Sequence, residues 1–151
     1  MKLAEALIER KALKTKMDEL KARIYQQAWV QEGEKPFEDP NELLEQLQEA
    51  TRDFELFVVR INKTNQSVKI DERTTLMEIL IKKDMMKFRH MVLTNLCTKA
   101  VPQQSRYSSR EIKHVPSVDI AQMRKKADQV AKENRDLEKK IQECNWQNDL
   151  L

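Results

Sequence analysis

A chain of 151 residues is one domain's worth, and 28 lysines and arginines against 25 acids leave a net charge of only +3, with the signs interleaved rather than gathered into the coherent basic face that nucleic acid requires. Charged residues make up 35% and there is a single glycine, Gly33, so the composition calls for long helices with solvated faces and leaves no material for a phosphate-cradling loop. No apolar run approaches the roughly 20 residues that cross a bilayer, and Glu5, Glu9 and Arg10 interrupt the N-terminal run that export would need. The expectation is a cytoplasmic protein with neither nucleic acid nor membrane as partner.

Leu3, Ala6, Arg10, Leu13, Met17, Leu20 and Ile24 step by three and four, which predicts a first helix over about 2–29. VQEGEKPFEDP then breaks the pattern, and Asp39-Pro40-Asn41-Glu42 supplies a cap, a first-turn proline and an acid. A second helix follows over about 41–63, with Leu43, Leu47, Ala50, Phe54, Phe57 and Ile61 on one stripe. Leu44, Thr51 and Val58 form a second stripe that would widen its buried face.

After the short alternating piece SVKID, Thr75 to Glu78 reads as a capping box opening a third helix over about 75–101. Two lines run along that helix. Leu76, Leu80, Lys83, Lys87, His90 and Thr94 are mixed, whereas Ile81, Met85, Phe88, Val92 and Leu96 are consistently apolar. The methionines here, Met77, Met85, Met86 and Met91, have the spacing of ordinary core filling.

A fourth helix over about 118–145 carries Ile120, Met123, Ala127, Val130, Asn134, Leu137, Ile141 and Cys144. Asn134 is its one polar entry among apolar positions. Buried, it would fix register or oligomeric state; on a slightly rotated helix it would simply face water.

The fold class expected is all-α: an antiparallel four-helix up-down bundle, or long coiled-coil hairpins, in a single domain over 1–151 with one short β-like segment at about 106–116. A third helix of ~28 residues at ~1.5 Å each separates SVKID from RYSSREIKHVPSV by ~42 Å. The two alternating pieces then cannot pair with each other, which leaves the 30–38 loop or another subunit for the second.

An up-down order also brings the acidic loop to the end that holds the basic, aromatic segment. Glu32, Glu34, Arg106, Tyr107, Arg110 and Glu111 are the candidate ligand-binding residues, because guanidinium forks suit carboxylate or phosphate and the glutamates suit a cation. The plainer reading of the same residues, salt bridges pinning a loop to the strand, carries the greater weight. Tyr107, Glu111, Ile112 and Asn134 are the candidate oligomer interface.

Cys97 and Cys144 fit small buried positions ~30 Å apart and unbridged, His90 and His114 lack ligand-spaced neighbours, and no nucleophile, Walker or HExxH motif is present. No catalytic residue, metal or cofactor is assigned. Asn145 and Trp146 are expected to close the bundle's lower end, tryptophan filling it and asparagines capping helix carbonyls.

MKLAEALIER, VQEGEKPFEDP, RINKTN, TLMEILIKKD, RYSSREIKHVPSVDI and IQECNWQNDLL together resemble a family of small uncharacterised bacterial helical proteins, some of which bear the name septicolysin. The resemblance implies an all-helical, oligomeric cytoplasmic protein and supplies no mechanism. The function expected is a self-associating structural or interaction protein with a polar site at the loop end, more a homo-oligomer than an enzyme. Two alternatives stand beside it: a septicolysin-like membrane-active protein, and a metal- or small-ligand-dependent activity at the Glu32 and Arg106 end.

Overall fold

The computed structural model describes residues 1–101 and 114–151. The fold is all-α and of helical-bundle class, with α1 (Leu3–Gln26), α2 (Pro40–Ser67), α3 (Leu76–Lys99) and α4 (Ile120–Gln147). Among the described residues there is no strand, only two isolated antiparallel bridges. The β-like segment lies mostly outside the described residues; its last three, 114–116, are not helical.

The chain divides into two compact units, Met1–Leu76 with Gln142–Leu151, and Met77–Ile141. In the first, α1 and α2 form an antiparallel hairpin around Leu20, Leu43 and Ala50, with Met17, Ile24 and Leu47 packed against them. The first stripe of α2 is therefore the buried one. Leu44 and Thr51, expected to widen it, face water and Val58 is half-buried, since among the described residues the helix that α2 packs along is α1.

α1 ends at Gln26, short of the expected 29, because the Gln27 and Ala28 amides turn back onto the Ile24 and Tyr25 carbonyls. A turn closed by the Glu34 amide on the Gln31 carbonyl, 2.9 Å, places Gly33 at φ +87°, where a side chain would be strained. Beyond it the Gln27 Oε1 accepts from the Phe37 amide at 3.0 Å, and Asp39 caps α2 by accepting from the Asn41 amide at 2.8 Å.

Arg23 clasps Glu38 across this connection with two donors, its Nε at 3.1 Å from Oε2. The hydrogen bonds from Arg23 hold the Glu38 carboxyl below its ordinary range, against the opposing effect of burial. A carboxylate with a lowered folded pKa contributes stability above its unfolded pKa and loses it as pH falls through the folded value. Glu38→Gln is expected to be less stable than the parent at neutral pH and to converge with it in acid; melting curves that stay parallel across that range would refute this.

α2 runs to Ser67, past the expected 63. The polar residues beyond that bound bond to the helix itself: the Thr64 hydroxyl donates to the Arg60 carbonyl at 2.9 Å and Ser67 Oγ donates to the Thr64 carbonyl at 3.0 Å. The SVKID piece finds its partner a few residues on. Lys69 bridges Thr75, the Ile70 amide donates to the Thr74 carbonyl and the Leu76 amide to the Val68 carbonyl, while Asp71 Oδ1 accepts from the Arg73 and Thr74 amides.

The two ends of the chain meet in the other bridge, Lys2 with Asp149. The Leu3 amide donates to the Asn148 carbonyl and the Leu150 amide to the Met1 carbonyl, each at 2.9 Å, and Lys2 Nζ lies 3.0 Å from the Asp149 carboxylate. Leu151 completes the junction, its amide donating to Thr64 Oγ1 at 3.0 Å and its carbonyl accepting from Arg60 Nε at 2.7 Å. Leu3, Ala6 and Ile61 are buried.

Asn145 is buried, but Trp146 is 53% exposed, which corrects the expectation that it fills this end. Leu150 takes an inward position instead. The helix carbonyl here is capped by Asn148, which the sequence reading did not name; its Nδ2 donates to the Cys144 carbonyl at 2.8 Å. Cys97 and Cys144 are both buried and free, and burial raises the Cys144 thiol pKa, partly offset by the hydrogen bond from Asn148.

The second unit joins residues 77–99 of α3 to residues 120–141 of α4 as an antiparallel hairpin. Lys83 pairs with Glu138, and Cys97 Sγ lies 3.9 Å from the Ile120 carbonyl. Ala127, Val130 and Ile141 of α4 are buried as the three-four rhythm predicts.

Candidate interaction surface

α3 turns neither its mixed line nor its apolar one toward α4 but a third, which shares Lys83 and His90 with the mixed line; Lys87 and Thr94 of the mixed line are exposed. Ile79 and Cys97 are buried, and Lys83, Met86, His90 and Leu93 are half-buried between them. A lysine is tolerated there because its stem lies against the hairpin while its ammonium reaches Glu138. The small Ala127 and Val130 of α4 accept this uneven surface.

The consequence is on the opposite face. Met77, Ile81, Met85, Phe88, Val92 and Leu96 are each between 37% and 59% exposed. Helical spacing places them on one continuous strip. The reading of the methionines as core filling is overturned for Met77, Met85 and Met91, which are exposed; only Met86 turns inward. The apolar line was legible as a pattern, and the missed signal was a further three-four line, Ile79, Lys83, Met86, His90, Leu93 and Cys97, that could serve as the inward face once Glu138 was in reach.

Between α3 and α4 lie shallow clefts with both polar and apolar walls. One of ≈ 700 Å³ is lined by His90, Thr94, Cys97, Thr98, Val101, Arg124, Ala127 and Asp128. Another of ≈ 250 Å³ includes Met86, Lys87, His90, Asn134 and Arg135. Asn134 thus faces α3 of its own hairpin, with Oδ1 buried and without a hydrogen-bond partner among the described residues. Among the described residues, no group of three or more His, Cys, Asp and Glu is placed to hold a metal ion.

Glu32 and Glu34 sit exposed on the α1–α2 connection. Arg106, Tyr107, Arg110, Glu111 and Ile112 lie outside the described residues, so the juxtaposition expected from the up-down order is not described. Three aromatic residues are exposed nearby in sequence, Tyr25 in the last turn of α1 and Trp29 and Phe37 on the connection. Aromatic residues scattered through a charged loop have no periodicity that would have marked them.

Comparison with known proteins gives two matches. The model of a family described as "Family of unknown function (DUF6847)" matches residues 10–150. A crystal structure of a functionally unknown conserved protein from Corynebacterium diphtheriae is 39% identical, with a TM-score of 0.92, covering 100% of this chain and 99% of that one. No curated protein matches. Neither match bears the septicolysin name.

Proposed function

The chain belongs to this family of unknown function, and we infer that it is a self-associating interaction protein that docks helix against helix. The observation that supports the reading is the exposed apolar strip of α3, because soluble chains rarely leave so continuous a line of large side chains to water unless something covers it. No described helix is long and apolar enough to cross a membrane, which favours this reading over the lytic one.

Phe88→Lys tests it. Phe88 is exposed, so the charge should leave helicity by circular dichroism unchanged while the mass seen by light scattering falls from a multimer to one chain. A parent protein that already has the mass of one chain at micromolar concentration would end the proposal.

A further inference from the structure

Resting on that reading, we propose that the occupant of the α3 face is the same face of a second copy, with the two α3 helices side by side and parallel, and with Asp84 and Arg89 setting the orientation.

Area is the first argument. At roughly 200 Å² for a large side chain, the exposures along the strip leave on the order of 600 Å² of apolar surface per copy. That reaches the upper end of the largest patch on a typical monomer, and with flanking residues it approaches the ~800 Å² per partner of a stable interface. Spacing is the second. Residues 77, 81, 85, 88, 92 and 96 step by four, four, three, four and four. This is an 11-residue rhythm close to the pitch of a straight helix, so the strip stays on one face from end to end and can pair along its full length.

Charge decides the partner and its direction. Asp84 stands on one flank of the strip and Arg89 on the other; both are exposed, and neither has an ion-pair or hydrogen-bond partner among the described residues. In a parallel pair the Asp84 flank of each copy meets the Arg89 flank of its mate, giving two equivalent ion pairs across the seam. The face is therefore complementary to itself. An antiparallel pair that overlaid the strip would bring Lys82 of each copy to Arg89 of the other, like charge against like.

Sedimentation equilibrium of single and double charge reversals tests this. Asp84→Arg and Arg89→Asp are each expected to weaken association about tenfold by setting two like-charge pairs at the seam, and the two together should restore it. Unchanged helicity in each variant shows that the hairpin is intact. A tighter complex from Arg89→Asp alone would overturn the parallel arrangement, and indifference to all three variants would overturn the charge register, with self-association still standing in both cases. Failure of the parent to associate at all would remove the underlying reading as well.

Discussion

Leu43→Ala is expected to lower the stability of the α1–α2 hairpin by about 3 kcal/mol, whereas Leu44→Ala, one residue on, should change it by less than about 0.5 kcal/mol. Leu43 is 1% exposed in the first turn of α2, against Leu20 and Ala50, while Leu44 is 50% exposed. Removing the Leu43 side chain loses its transfer from water and opens a cavity that two rigid helices cannot fully close. At position 44 the leucine already keeps half its surface in water, so truncation removes little. Chemical denaturation followed by helicity measures both. Equal losses at the two positions would mean that α2 buries two stripes, and the account of this hairpin as a single-seam pair would fail.

Thr64→Val should cost about 1–3 kcal/mol even though the two side chains have nearly the same shape. Thr64 is fully buried and its hydroxyl acts in both directions, donating to the Arg60 carbonyl and accepting from the Leu151 amide. Valine fills the space but does neither, so the tail loses its hydrogen-bonded anchor on α2. Thr64→Ser retains the hydroxyl and should lose less. The distinguishing readout is amide exchange: Leu151 should be protected in the parent and in the serine variant and should exchange faster in the valine variant. If valine leaves stability and exchange untouched, the junction is held by Leu150 and the Lys2–Asp149 bridge instead.

The same residues show which parts of the architecture could be anticipated. The three-four rhythm specified helices at α1, α2 and α4, and the Asp39-Pro40 pair located the start of α2, because these are local properties: a period matched to 3.6 residues per turn and a side chain able to cap its own helix. The α2 boundary slipped from 63 to Ser67 because Thr64 and Ser67 can serve either as turn residues or as helix residues bonded to preceding carbonyls. What tips that balance is burial of Thr64 with a tail that lies 87 residues away.

Composition and periodicity on their own thus determined an all-α chain of four long helices with charged outer faces, and they marked Ile81, Met85, Phe88, Val92 and Leu96 as one apolar line. Only tertiary structure decided that this line faces outward, because a helix period fixes which residues share a face and not which face a neighbour takes. α4, with its small Ala127 and Val130 and with Glu138 in reach of Lys83, took the face of Ile79, Lys83, Met86, His90, Leu93 and Cys97. Contacts between residues far apart in the chain, such as Lys2 with Asp149, leave no periodic trace, since they depend on how whole helices come together rather than on the spacing within any one of them.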